Sequence, residues 1–301
     1  MEVNHIKHDD IDLKKWDNTV LSSATPLVFA QSFYLNATSP KWDALVIGDY
    51  DSIFPLTAKT KLGLKYLPQP SFTSQLGVFG KINEEIELTF YNYIIKKYRL
   101  IEIELNASNK ISNAHVSPKR TYTIEYKNGY SYNTNTKRNI SKAIKNGLAV
   151  TIIEPNDIPA LSKKYIDPFL EKELGLAKPV VKTFNVLLAS CLKNKSLLTL
   201  KTIDSKNNIK ALAHFVYNNK YVLYLKGTNF DKSENTGSMH LLIDSAIKHF
   251  ENRAEIFDFG GGANTGLSSF YQGLGGSQLN YSFLSINNLP KLISVLKQKK
   301  K

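Results

Sequence analysis

The sequence is short of the residues on which disulfides and many metal sites depend. One cysteine among 301 residues makes an internal disulfide impossible and fits a reducing cytoplasm. Cys191 lies in an apolar run typical of a buried helix. The six histidines are scattered, and neither paired cysteines nor a His-Glu-x-x-His motif accompanies them. We therefore expect no metal and no tightly bound cofactor.

Long hydrophobic runs are also missing. No stretch approaches the roughly 18 to 20 consecutive apolar residues of a membrane-spanning helix. The segment from Met1 to Lys15 is polar and carries Asp9, Asp10 and Asp12, whereas a secretory signal has a basic start and an apolar core. We expect a cytoplasmic protein without a membrane span. Nothing in the sequence indicates its oligomeric state.

Two common motif classes are absent as well. The run at 260–262 is three glycines, but it lacks both the Lys-Ser/Thr of a P-loop and the spacing of a dinucleotide fingerprint. No Gly-x-Ser-x-Gly elbow occurs. What the chain has in excess is positive charge, with a formal net charge of +13. This favours a polyanionic partner such as nucleic acid, a nucleotide-bearing donor or anionic lipid, although part of the charge lies in the tail at 297–301.

The pattern of apolar residues repeats along the chain. The second half predicts strands over 197–203, 209–217 and 221–225, a helix over 239–250, a strand over 256–259, a short helix over 266–272 and a strand over 279–286. The first half predicts strands over 44–47 and 53–58, a helix that begins after an Asn83 cap, and a strand over 100–105. The hairpin and the helix-strand unit recur at an offset of about 155 residues, which indicates a structural duplication.

The duplication predicts the fold class. A hairpin followed by a helix that crosses to a parallel strand gives a mixed sheet flanked by helices. We therefore expect an α/β (α+β) protein of two similar lobes, each with a mixed, mostly antiparallel sheet. The polar loop at 106–117, which ends at Pro118, predicts the boundary, so that the lobes would be 1–117 and 118–301.

Four segments carry a resemblance to known proteins. They are the basic stretch 137–148, the loop 235–239, the strand and helix from Phe257 to Gly276, and the stretch 69–77. Their order and spacing resemble the FemAB-like and BioF2-like acetyltransferases of the GNAT superfamily. The resemblance implies two tandem GNAT-like lobes, the first degenerate and the second holding an acyl donor. It also implies transfer of an acyl group to an amine or hydroxyl acceptor.

The resemblance leaves the donor open. Peptidoglycan-building Fem-type ligases carry Phe-Lys in the last helix, where this chain has Phe270-Tyr271, and the helical arm that some of them insert is missing. Both departures favour acyl-CoA as co-substrate over an aminoacyl-tRNA-dependent peptidyltransferase of cell-wall precursor synthesis. A non-catalytic module that binds a nucleotide-linked ligand or tRNA is the third alternative.

Two groups of residues are candidates for binding. Arg138, Lys142 and Lys145 share one face of a predicted helix, with apolar residues that include Ile144 opposite, and this row suits the phosphates of an acceptor or ligand in a cleft between the lobes. The family resemblance implies a donor site where a helix begins, since free amides there attract pyrophosphate. Its members are Asn235, Thr236, Gly237, Ser238 and Met239, together with Lys226 and Gly227 at the end of the preceding strand, beside which the resemblance places the acyl arm of the donor.

Two residues are candidates for catalysis. Asp258 lies between Phe257 and Phe259 in a short strand, so alternation turns it away from both. A buried carboxylate there would either have a raised pKa and act as a general base or cap the glycine turn that follows. Tyr271 could protonate a leaving thiolate, or it could be a packed aromatic side chain.

Overall fold

The computed structural model describes residues 2–61, 63–111, 115–230, 235–261 and 264–289. The described helices are α1 (Leu13–Ser22), α2 (Ser32–Thr38), α3 (Glu84–Lys97), α4 (Thr134–Lys145), α5 (Ile158–Leu161), α6 (Lys178–Lys193), α7 (Ser238–Phe250) and α8 (Thr265–Gly273). The described strands are β1 (Asn4–Ile6), β2 (Asp43–Ile47), β3 (Ser52–Leu56), β4 (Lys59–Lys61), β5 (Leu64–Pro68), β6 (Phe79–Gly80), β7 (Leu100–Leu105), β8 (Val116–Glu125), β9 (Ala149–Ile152), β10 (Leu197–Ile203), β11 (Ile209–Tyr217), β12 (Tyr221–Asn229), β13 (Ile256–Asp258) and β14 (Ser277–Asn287). Gly262 and the tail at 297–301 lie outside the described residues.

The described chain divides into two compact units. The first comprises residues 2–119 and 280–289, and the second comprises residues 120–279. The sequence-based division into 1–117 and 118–301 differs in one respect, because most of β14 belongs to the first unit. Residues 282–287 of β14 pair with β7 in antiparallel register. The two strands are about 180 residues apart in the sequence, so no local sequence pattern could predict their pairing.

The first unit contains the hairpin, helix and strand that the sequence predicts. β2 and β3 form an antiparallel hairpin. β3 and β4 lie two residues apart, and β4 pairs with β5, which runs parallel to β7. α3 makes this parallel connection, and the side-chain oxygen of Asn83 accepts a hydrogen bond from the backbone N–H of Ile86 at 2.9 Å. The predicted cap is therefore confirmed.

The second unit has the strand order β8-β13-β12-β11-β10-β9. Only the β12 and β13 pair is parallel, and α7 connects these two strands. The predicted elements from 197 to 286 are all present, although β12 extends four residues beyond the predicted end at Leu225. Thus each unit runs from an antiparallel hairpin through a third strand and a helix to a parallel strand. The expected class, a mixed α/β fold of two similar lobes, is confirmed.

The core of the second unit lies between its sheet and α7. Leu242, Ile243, Ala246 and Ile247 of α7 are fully buried against the sheet. Each large apolar side chain buried in this way contributes about 1.5 to 3 kcal/mol. No helix in the described part of the chain combines the length and apolar character needed to cross a bilayer.

Candidate functional site

The two parallel strands of the second unit pair over only three residues. Tyr221, Val222 and Leu223 of β12 pair with the three residues of β13, which ends at Asp258. β12 continues to Asn229 and stays paired with β11, while the chain after β13 turns away at Gly260, whose φ is +71°. The pairing between β12 and β13 therefore ends at Leu223. Backbone amides along this edge of β12 are available to polarise a carbonyl group.

A β-bulge lies at the point where the strands part. Tyr224 stands opposite Phe215 and Lys226 stands opposite His214, so that Leu225 is the extra residue of β12. Phe215 belongs to the core under α7, and adjacent strand residues alternate between faces. Tyr224 therefore lies on the α7 face, whereas His214 and Lys226 lie on the opposite face. Bulges often redirect a side chain next to an active site.

Gly227 follows the bulge in a confined position. A Cβ atom on this residue would lie 2.5 Å from the hydroxyl oxygen of Tyr224 and 2.9 Å from the Cβ of Ala213. No side chain larger than hydrogen fits without displacing both neighbours. The space on this side of Gly227 is therefore already filled by Tyr224 and Ala213, and β12 carries no side chain of its own there.

Within the described ranges, no side chain caps the N-terminus of α7. Gly237 occupies the cap position with φ of +83°, and no side chain there accepts a hydrogen bond from the first turn. The hydroxyl of Ser238 is buried and donates to the side-chain oxygen of Asn229 at 2.8 Å, so this hydroxyl is already occupied. The amides of Ser238, Met239 and His240 have no intrahelical acceptor, and the helix dipole makes this end attractive to anions.

α4 packs directly against this helix start. A Cβ atom on Gly237 would lie 2.2 Å from the carbonyl oxygen of Asn139, which shows how closely the two helices approach. The ammonium of Lys142 donates to the carbonyl oxygen of Asn235 at 2.6 Å. Lys142 therefore ties the basic helix to the loop of the expected donor site. Thr236, the remaining member of that loop, lies beside Gly237.

The basic face of α4 borders a surface cavity of about 480 Å³. Its lining residues are Thr134, Lys137, Arg138, Ser141, Lys142, Lys145 and Asn146. None of them is acidic, and the row of cations that the sequence predicts is thus brought together with a fourth, Lys137. One detail of the prediction is wrong: Ile144 does not pack, because it lies on the flank of the helix and is 60% exposed.

Asp258 is held by three hydrogen-bond donors. Its carboxylate is 1% exposed and accepts from the Thr121 hydroxyl at 2.7 Å, from the Gly260 backbone N–H at 2.7 Å and from the Tyr221 hydroxyl. Burial raises the pKa of this carboxyl, and the three hydrogen bonds oppose that rise. The alternation of β13 does turn it away from Phe257 and Phe259, and the geometry is that of a cap on the glycine turn.

Tyr271 lies on the opposite face of the same sheet. Its ring stacks on Phe259 with centroids 4.8 Å apart and also neighbours Tyr122 and Tyr224. The side chain is 5% exposed, and burial raises the pKa of its hydroxyl. Tyr271 thus has the environment of a packed aromatic residue. Among the described residues Tyr271 and Asp258 share no hydrogen bond, although the Asp258 charge adds to the rise in the pKa of Tyr271.

Sequence reasoning passed over His214. This residue is fully buried in β11, with Nδ1 2.8 Å from the hydroxyl oxygen of Thr199. Its Nε2 has no hydrogen-bond partner among the described residues, and burial lowers its pKa to about 3. The available signal was a single imidazole inside the apolar run from Ile209 to Tyr217. In the described ranges, no three His, Cys, Asp or Glu residues lie close enough together to hold a metal ion.

Several solved structures resemble this chain. FemX aligns over 99% of both chains with a TM-score of 0.68 and 13% identity. The C-terminal domain of a candidate lysylphosphatidylglycerol synthetase from Agrobacterium fabrum aligns over 95% of both, with a TM-score of 0.59 and 10% identity. A tandem GNAT protein from the clavulanic acid biosynthesis pathway aligns over 96% of this chain and 100% of its own, with a TM-score of 0.52 and 12% identity. No family model and no curated protein sequence matches the chain. At these identities the likeness concerns the fold, and the chain has the fold of the GNAT superfamily in its tandem, FemAB-like form.

Proposed function

We propose that the second unit transfers an acyl group from acyl-CoA to an amine or hydroxyl acceptor. The observation that carries this proposal is the start of α7, an uncapped helix N-terminus beside a row of cations without acidic neighbours in the cavity lining. Amides and ammonium groups that converge in this way suit a diphosphate. The likeness to a tandem GNAT protein agrees with such a donor.

The strand next to the helix offers the other half of the donor site. With the diphosphate at the start of α7, the acyl arm would follow the edge of β12 beyond Leu223 and pass Gly227, which has no side chain. An amide of this edge would polarise the donor carbonyl, and the fold would act mainly by positioning the two reactants. This assignment requires no metal and no covalent intermediate.

The first unit is unsuited to the same task. Its corresponding helix, α3, has its N-terminus capped by Asn83 and carries Glu84, Glu85 and Glu87 in the first turn. These carboxylates repel a phosphate and already use the favourable end of the helix dipole. Glu87 is also buried and accepts from the backbone N–H of Lys110. We therefore assign the donor to the second unit.

A specific observation favours a second candidate, an aminoacyl-tRNA donor. Four cations, Lys137, Arg138, Lys142 and Lys145, border an open cavity as they would border a nucleic-acid backbone. The likeness to FemX and to the lysylphosphatidylglycerol synthetase domain agrees with it. Against it, Tyr271 stands where Fem-type ligases resemble one another in having lysine, and its ring packs against Phe259 and Tyr224. We favour acyl-CoA for this reason.

Calorimetric titration with CoA, acetyl-CoA and, separately, charged tRNA tests the proposal. We expect CoA to bind, and the triple variant Arg138→Gln, Lys142→Gln, Lys145→Gln to bind it about 10- to 100-fold more weakly with a flatter salt dependence. The matched control changes three lysines of the first unit, Lys59, Lys61 and Lys65, to glutamine. It removes the same charge and should leave CoA affinity unchanged.

The outcomes separate the alternatives. Micromolar tRNA binding that persists at physiological salt, without heat from CoA, would select the tRNA-dependent reaction. Unchanged CoA affinity in the triple variant would show that the basic face of α4 is only solvated. Binding of CoA without thiol release from acetyl-CoA, over a broad panel of amines and alcohols, would select a binding module.

A further inference from the structure

A lysine without a partner lies where β12 leaves β13. Lys226 follows the bulge directly, and its side chain is half-buried. Among the described residues it makes no hydrogen bond and no ion pair. A lysine that loses water without gaining a counter-charge is costly in a folded protein. Such a residue is therefore a candidate for a role in the chemistry of the site.

The groups that face this lysine are neutral or occupied. On β11 its cross-strand neighbour is His214, which is fully buried and uncharged because burial lowers its pKa to about 3. On β13 the nearest carboxylate is Asp258, whose oxygens accept three hydrogen bonds. The π-helical turn Ser162–Ile166 packs against β12 with Tyr165 on Phe230, and its Lys163 and Lys164 are exposed. In the part of the chain that the structure describes, no free negative charge stabilises the ammonium form of Lys226.

We propose that Lys226 is the general base of the acyl transfer, with His214 as a positioning residue beside it. This inference rests on the proposed function, because it uses the acyl arm along β12. Lys226 stands three residues beyond the last β12–β13 pair, next to the confined backbone of Gly227. An acceptor that approaches the donor carbonyl from the face opposite α7 would meet the lysine amine first.

The step balances for either leaving group. The neutral amine of Lys226 takes a proton from the acceptor nitrogen or oxygen as that atom forms a bond to the acyl carbon. The bond from this carbon to the sulfur or oxygen of the donor then breaks with its electron pair. The leaving atom receives the proton of the Lys226 ammonium, directly or through a water molecule, so Lys226 is neutral again at the end of the step.

The other titratable candidates fit this role less well. Asp258 would have to give up the hydrogen bonds that cap its turn, and Tyr271 is packed on the opposite face of the sheet. Burial lowers the pKa of Lys226, which raises the fraction of neutral amine at physiological pH. His214 is uncharged. Thr199 holds its imidazole ring in place, and the ring limits where the side chain of Lys226 can lie.

An NMR titration of the lysine Cε and Nζ resonances tests the inference without any turnover. Lys201 provides the matched control, because it lies on β10 of the same sheet and on the same face as His214 and Lys226. We expect Lys226 to titrate below Lys201, with the resonance assigned from its loss in Lys226→Arg. A Lys226 midpoint equal to or above that of Lys201 would overturn the proposal.

Kinetics then distinguish a base from a binding cation. We measure thiol release from acetyl-CoA with a panel of primary amines for wild type, Lys226→Met, Lys226→Arg and the control Lys201→Arg. Both Lys226 variants should lose about 100-fold or more in kcat and lose the rise of kcat with pH that deprotonation of the base produces, while CoA, whose diphosphate is assigned to the start of α7, still binds. Arginine keeps the positive charge but cannot act as a base. Full activity of Lys226→Arg would overturn the inference and leave the proposed function intact, whereas a wild-type protein that transfers no acyl group would overturn both.

Discussion

Removing the carboxylate of Asp258 should unfold the second unit more easily, because Asp258 caps the end of β13. In Asp258→Ala, the Thr121 hydroxyl, the Tyr221 hydroxyl and the Gly260 amide all lose their acceptor. Each buried donor left without a partner costs about 1 to 3 kcal/mol. The raised pKa of Asp258 shows that burying the charge is itself unfavourable, so its removal offsets part of this cost. We expect a net loss of about 2 to 4 kcal/mol in the free energy of unfolding.

Urea denaturation followed by far-UV circular dichroism measures this loss. Asp258→Asn is the matched control, since one amide oxygen can still accept from Gly260 and Thr121 while its amide group meets a tyrosine hydroxyl that can turn to accept. We expect it to lose less than about 1.5 kcal/mol. Thr121→Val removes a single donor and should lose about 1 kcal/mol. If Asp258→Ala loses under about 1 kcal/mol, or if the asparagine variant loses as much as the alanine variant, the capping argument is wrong.

Two further perturbations probe the same unit. Gly237→Ala should lower the free energy of unfolding by about 2 to 4 kcal/mol, because the new Cβ would clash with the Asn139 carbonyl at a residue of left-handed backbone. The control Gly129→Ala also has a positive φ but has open space around it, and it should lose only about 1 kcal/mol. Equal losses of the two variants in urea titrations would show that the clash is absent. His214 has a pKa of about 3 in the folded state against an ordinary value of 6.5, so the unfolded state gains a proton first and stability falls as pH drops through that window. Wild type should lose about 2 kcal/mol more than His214→Phe between pH 7 and pH 5, and parallel stability curves for the two proteins would refute the burial argument.

Periodicity was sufficient to predict most of the regular elements. The α7 stripe and the β10–β11 hairpin are visible in the sequence because a helix repeats every 3.6 residues and a strand every two. The same reasoning passed over β8, which begins inside the loop expected at 106–117. Its first residues include Pro118 and Lys119 and are exposed, so they carry no apolar alternation. Partners of strands are set by long-range packing, and for that reason the pairing of β14 with β7 could not be foreseen.

The candidate site was predictable only as far as local geometry decides it. Arg138, Lys142 and Lys145 lie together because their spacing places them on one face of a helix. A glycine that precedes a helix can be read directly from the sequence. The environment of Asp258 depends on Thr121 and Tyr221, which are 137 and 37 residues away. The sequence could therefore pose the choice between base and cap but could not decide it. Lys226 lies opposite His214 only because the bulge at Leu225 shifts the register between β11 and β12. A bulge has no dependable sequence signature, so this neighbourhood could not be predicted.

The bulge at Leu225 reverses the alternation by which successive side chains of β12 point to the two faces of the sheet. Upstream of it, even-numbered residues of β12 point towards α7; downstream, Lys226 points the other way. If the bulge were closed without loss of a residue, so that Leu225 paired with His214, every later residue of β12 would change face. Lys226 would then enter the apolar layer under α7, and Gly227 would leave its confined position beside Ala213. Deleting Leu225 instead would leave Lys226 opposite His214 and keep both faces as they are. The bulge therefore decides which residues of the outer half of β12 a ligand meets on each face of the sheet.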